Sequence, residues 1–234
     1  MKSIHESIRD EKGFTLVELA VVMVIVGLLI GGILKGQEMI ANQQVNSTIA
    51  QIKSVDAAQA TFRDIYDALP GDMVDALTRV TGCVAPCANG DGDNTLETAP
   101  MVAAPDAEAL NFSRHLAGAG LVAGSSAVDL NFMEGTIRDI EFIPGTQAAA
   151  ALGQAAAGVA RSGNYLGVNS TGGVGNAVGL TPLQAGRIDR KLDDGVSNTG
   201  GAIAGGTVAA CANAAGAYLE NLGASGCTIA ILMQ

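Results

Sequence analysis

Between Gly13 and Gly36 the chain reads GFTLVELAVVMVIVGLLIGGILKG, and residues 14–34 of that run carry a single charge, Glu18. Some 20 mostly apolar residues wound as a helix, at about 1.5 Å each, cross the roughly 30 Å hydrocarbon layer of a bilayer. No water-soluble fold has a use for such an apolar surface at the end of a chain unless lipid or protein covers it. A carboxylate in hydrocarbon costs at least a few kcal/mol, so Glu18 calls for a partner or a function. The preceding segment, MKSIHESIRDEKG, is polar, with Lys2, Arg9 and Lys12 balanced by Glu6, Asp10 and Glu11. Its basic residues favour a cytoplasmic placement of that end.

The apolar run does not end in a turn. Beyond Lys35 the sequence turns polar but keeps a stripe, Ile40, Val45, Ile49, Ile52, Val55, Gln59, Phe62 and Tyr66, at mostly three- and four-residue steps, with no proline before Pro70. That period predicts one continuous helix of about 55 residues, roughly 80 Å long. Pro70-Gly71 stops it, because proline cannot continue the backbone ladder and disfavours the helical region in the residue before it. The expected organisation is a leader over residues 1–13, a transmembrane helix half over 14–34, an amphipathic half over 35–69 and a globular head over 70–234.

The head reads as α+β with a small antiparallel sheet. Residues 105–121, PDAEALNFSRHLAGAGL, suit a short helix opened by Pro105, with Leu110 and Leu116 as core contacts and glycines at its close. Strands are expected over 136–143 and 163–168, where β-branched and aromatic residues lie between Gly, Asn and Ser clusters. A second helix is expected over 180–192, with Leu183, Ile188 and Leu192 facing inward, and the tail CTIAILMQ reads as a buried terminal strand. The alanine- and glycine-rich residues 147–159 suit a short helix or a loop equally.

Composition narrows the chemistry. A formal charge of −10, without a basic stripe, argues against nucleic-acid binding, which needs clustered Lys and Arg. Four cysteines in a chain with an export-like segment favour disulfides. Three pairings are available; locality favours Cys83 with Cys87 and Cys211 with Cys227, the second closing a loop worth roughly 3 kcal/mol on the chain-entropy model. Zinc on all four is the competing reading, weakened by the loose CxxxC spacing and the lack of a CxxC. Asn89, Asp91 and Asp93 alternate with glycines, so their oxygens are candidates to converge on calcium. The EF-hand pattern is broken there, since Asn94 replaces the central glycine and Pro100 the bidentate glutamate. A solvated turn is the competing reading, as it is for Asp193-Asp194-Gly195. An enzyme is not expected: there is no GxSxG, HExxH or GxxxxGK[ST], and beyond the leader the one histidine, His115, is expected at the surface or an interface.

A polar leader ending in Gly13, followed by Phe14, Thr15, Leu16, Val17, Glu18 and a hydrophobic helix, closely resembles the type IV prepilin signal of pilins and pseudopilins. YDALPGDM (66–73), the NGDGDN loop, EALNFSRHLAGAGLVAG (from Glu108) and IDRKLDDG (188–195) are also similar to a widespread subgroup of prepilin-like proteins. The resemblance implies that a prepilin peptidase cuts between Gly13 and Phe14 on the cytoplasmic side, that Phe14 is then N-methylated, and that the apolar helix stays attached. An ordinary signal peptide would instead be cut beyond its apolar region. The resemblance also implies that Glu18 attracts the positive α-amino group of a neighbouring subunit's Phe14, each charge offsetting part of the other's desolvation. Gly27 with Gly31, and Gly32 with Gly36, have the spacing that lets helices approach closely in lipid; local loosening of the helix there is the other reading. The implied protein is an inner-membrane prepilin with a periplasmic head, assembling with like subunits into a type IV pilus or similar filament and requiring no cofactor. Its alternatives are a pseudopilin of a type II secretion system and a membrane-tethered binding or enzymatic head that does not polymerise. Some pseudopilins hold calcium in a late loop of the head, whereas the NGDGDN loop here is early.

Overall fold

The computed structural model describes residues 13–96, 107–122, 133–137, 140–147, 162–170, 179–205, 211–213, 215–223 and 226–233. Residues 1–12 of the leader, residues 148–159 and Pro105 therefore lie outside the described residues. The chain divides into two units, Met1–Gln43 and Gln44–Gln234.

In the first unit the described residues are the start of helix α1, Leu16–Tyr66, a 51-residue element that bears out the long-helix expectation. Its apolar residues here are solvent-exposed; Phe14 is 88% and Leu28 73% accessible. It is the one helix among the described residues long and apolar enough to cross a membrane.

The second unit begins inside α1. Burial starts at Val45, and the buried residues Val45, Thr48, Ile49, Ile52, Val55, Ala58, Gln59 and Phe62 recur at helical spacing. Ile40, expected on this stripe, is exposed, because the compact unit begins only at Gln44. The stripe expected to pack from Ile40 onward thus does so from Val45, about one and a half turns later. Gln59 is fully buried and its amide oxygen and nitrogen make no hydrogen bond, a cost of about 1–3 kcal/mol against an apolar side chain of the same shape.

Five antiparallel strands form the sheet: β1 Met133–Glu134, β2 Ile140–Gln147, β3 Gly163–Ser170, β4 Ala202–Gly205 and β5 Thr228–Leu232, in the spatial order β1-β2-β3-β5-β4. The terminal strand expected from CTIAILMQ is β5. Alternate residues divide between the faces, as strand geometry requires. Phe142, Leu166, Val168 and Ile229 join the α1 stripe in the main core, while Tyr165, Ile203 and Ala230 form a second cluster. The strand expected over 136–143 starts instead at Ile140. Thr136 belongs to the preceding turn and is held on α1, its N–H and hydroxyl both 2.9 Å from Gln51 Oε1. Pro144 sits inside β2 beyond the last residue paired with β1, where no strand needs its missing N–H.

Among the described residues the unit has three further helices: α2 Ala76–Arg79, α3 Ala107–Gly118 and α4 Pro182–Leu192. Helix α4 starts two residues later than expected because Leu180 pairs with Cys227 in an isolated bridge. Thr181 and Gln184 then form a reciprocal capping box, with Pro182 in the first turn. Cys83 is bonded to Cys87 and Cys211 to Cys227, with Cα separations of 5.4 and 5.2 Å inside the usual disulfide range.

Candidate functional site

At the start of α1, Gly13 and Phe14 precede the first helical turn and Glu18 lies within it. The Thr15 N–H and hydroxyl both donate to Glu18 Oε2 at 2.9 Å, and the Glu18 N–H donates to Thr15 Oγ1 at 3.2 Å. This is a capping box, in which Thr15 and Glu18 satisfy each other's orphan donors at the helix end. Sequence reasoning missed it, although the T-x-x-E spelling of Thr15-Leu16-Val17-Glu18 is its signature. Within one chain Glu18 therefore has a local role before any neighbour is considered. Farther along, a side-chain carbon added at Gly27, Gly31, Gly32 or Gly36 would meet nothing within 4 Å. Among the described residues nothing crowds these glycines, and α1 runs through them unbroken.

The corner after α1 organises the head's acidic loop. Gly71 has φ +93°, a conformation that favours glycine, and a Cβ there would collide with the Glu108 carbonyl. Next to it, the buried Asp72 accepts three backbone hydrogen bonds, from Gly92 at 2.6 Å and Asp93 at 3.2 Å on Oδ1, and from Asn94 at 2.7 Å on Oδ2. Burial raises Asp72 above its ordinary carboxylate range, against the opposing pull of these N–H groups. Gly90 lies against the Asp72 backbone with no room for a side chain. Each of the alternating residues singled out in the sequence gives one side-chain oxygen to a backbone donor. Asn89 Oδ1 accepts from the Leu77 N–H at 2.9 Å, Asp91 Oδ1 from Asp93 N–H at 3.1 Å, and Asp93 Oδ1 from the N–H and hydroxyl of Thr95, both at 2.7 Å. Around this loop one oxygen each of Asp72, Asp91 and Glu108 lies within 4.8 Å of the others, and of these sequence reasoning singled out only Asp91. Asp72 and Asp91 also line a surface cleft of about 260 Å³ with Asp67, Asp75 and Val74.

His115, expected at the surface or an interface, is fully buried within the chain. Its Nδ1 accepts the Gly71 N–H at 2.8 Å, which leaves the proton on Nε2 to donate to the Ala88 carbonyl at 2.8 Å. Burial holds it below the ordinary histidine range, so the ring is neutral near pH 7. The polar face of α3 is covered by the cysteine loop: Arg114 Nη1 donates to the Pro86 carbonyl, and Asn111 Oδ1 accepts from the Ala88 N–H, both at 3.2 Å.

A second carboxylate group closes the loop after α4. Buried Asp189 accepts from Tyr218 Oη at 2.8 Å and from the Gly195 N–H at 3.2 Å. Asp193 accepts from the N–H groups of Gly201 and Ala202, and Asp194 from the Val196 N–H and the Thr199 hydroxyl. Burial, with Asp193 and Asp194 adding to it, pushes Asp189 up to about 6. Because the folded value lies above the unfolded one near 3.9, this group's stabilising contribution is full below about pH 4 and is lost as pH rises through 6. Asp189→Asn is therefore expected to raise the melting temperature at pH 7.5, by up to about 3 kcal/mol in stability, and by much less at pH 4.5. Thermal melts of both proteins at the two pH values check this; an equal loss at both would show that the hydrogen bonds, not the charge, decide.

An apolar helix of membrane length with a capped N-terminus, in a chain that also has an α+β head, fits a membrane-anchored protein. Its N-terminal residues are more specific: residues 8–34 match the prokaryotic N-terminal methylation motif, the signal motif of type IV pilins and pseudopilins. The motif implies processing by a prepilin peptidase and assembly with other pilins in general, and it marks a structural class of protein. No curated protein and no solved structure matches the chain.

Proposed function

We propose that this chain is a structural subunit of a type IV pilus or pilus-like filament, without enzymatic activity. It is cut between Gly13 and Phe14, methylated on Phe14, held in the inner membrane by residues 14–34 with its head in the periplasm, and then assembled helix on helix. The observation that carries this reading is the exposed apolar start of α1, joined to the methylation motif and to four glycines that no neighbour among the described residues crowds. Such a surface needs lipid first and other apolar helices later, and glycines at four-residue spacing suit close helix approach. Glu18 supplies the stagger by meeting the α-amino group of a neighbour's Phe14. A pseudopilin of a type II secretion system uses the same parts and the same motif.

The proposal is tested by shearing cells and probing the released filament fraction for the head. The processed chain is expected there in wild-type cells and missing from it when the prepilin peptidase is deleted. A processed chain that stays wholly in the membrane fraction overturns the filament reading in favour of a tethered head.

A further inference from the structure

The cysteine loop offers more than a covalent staple. Cys83 and Cys87 are buried at its base, while Val84, Ala85 and Pro86 at its tip are exposed. Against the bridge stands His115, and one ligand atom from each of the three side chains falls within 4.8 Å of the other two. The imidazole is already positioned by the backbone on both sides, Gly71 on one ring nitrogen and Ala88 on the other. Its ring stacks on Phe62, with centroids 6.1 Å apart. With Nδ1 drawn to a cation, the Nε2–H keeps the Ala88 carbonyl as its acceptor, the usual arrangement for a metal-bound histidine, and the Gly71 N–H gives up its bond to the ring. Two sulfurs and one imidazole form a donor set suited to a borderline cation such as zinc, and three protein ligands leave a fourth position for water.

We propose that reduction converts the Cys83–Cys87 bridge, together with His115, into a zinc site, so that the loop is clasped either by a disulfide or by a metal ion. The reductant is a dithiol. One of its thiolates attacks a bridge sulfur to form a mixed disulfide, and its second thiol displaces that sulfur. The dithiol leaves as a cyclic disulfide, and two electrons and two protons have passed to Cys83 and Cys87. Zinc then binds both sulfurs as thiolates and releases their two protons to solvent. The exposed loop tip gives the reductant its approach. This inference stands apart from the filament reading.

The test uses the full chain in detergent with Cys211→Ser and Cys227→Ser, so that the other pair contributes no thiolate. After reduction it is expected to take one Zn²⁺ per chain in competition with a chromophoric chelator, and none when oxidised. His115→Gln should weaken that binding at least tenfold. Equal zinc uptake by the reduced and oxidised chains, or unchanged affinity in His115→Gln, overturns the proposal. Should either variant fail to fold by circular dichroism, X-ray absorption on the reduced, zinc-loaded wild-type chain decides. Two sulfurs and one nitrogen from the protein support the site, and four sulfurs or none refute it.

Discussion

Glu18→Ala is expected to reduce filament yield at least tenfold while leaving cleavage after Gly13 intact. The carboxylate has two candidate roles, and they separate cleanly. In the single chain it closes the α1 N-terminus through Thr15, a contribution of about 1 kcal/mol that Thr15→Ala also removes. In the proposed assembly it cancels the charge of a neighbour's amino terminus in a low-dielectric setting, where an unpaired charge costs several kcal/mol. Thr15→Ala is therefore expected to assemble nearly as wild type, and Glu18→Gln, which keeps a capping oxygen but no charge, to fail as Glu18→Ala does. Sheared-filament yields for the three variants check this. Assembly by Glu18→Gln together with failure of Thr15→Ala would reduce Glu18 to a helix cap.

The head should be most sensitive at Asp72. This one buried carboxylate takes three N–H groups from the loop that holds Gly92, Asp93 and Asn94. Hydrogen bonds to a charged group are worth about 1.5–3 kcal/mol each, and loss of the acceptor strands its donors. Gly92 and Asn94 lie at the surface, so water recovers part of the loss. Asp72→Ala is expected to destabilise the head by about 3 kcal/mol and to speed amide exchange at 92–94 first. Asp72→Asn should fall between. Denaturant unfolding gives the magnitude and hydrogen exchange the location; a loss below about 1 kcal/mol would mean that the loop holds itself through its own turns.

What could be read from the residues followed from periodicity and punctuation. The three- and four-residue stripe of α1, the spacing of Leu183, Ile188 and Leu192 in α4 and the apolar tail of β5 are local patterns, and each element appears close to its expected place. Ile40 was misplaced because periodicity gives the face of a helix but not where its partner begins. His115 and Asp72 were missed for a related reason. Helical spacing puts His115 on the polar side of α3, and only the cysteine loop, distant in sequence, turns that side into an interior. Asp72 follows Pro70-Gly71 and reads as a turn residue, since its donors lie some 20 residues on. The alternating Asn89, Asp91 and Asp93 suggested convergence; in the fold one oxygen of each accepts a backbone N–H, which is how short polar side chains organise turns. The T-x-x-E cap was legible and was overshadowed by the stronger oddity of an acid inside an apolar run.

The central claim, a prepilin processed at the head of α1, is tested most directly by an intact-mass and N-terminal fragment spectrum of the protein from its native membrane or filament fraction. The account predicts a chain that starts at Phe14 and carries one added methyl on its α-amino group. A chain that still begins at Met1 in cells with an active prepilin peptidase, or one cut beyond Gly32, would contradict it.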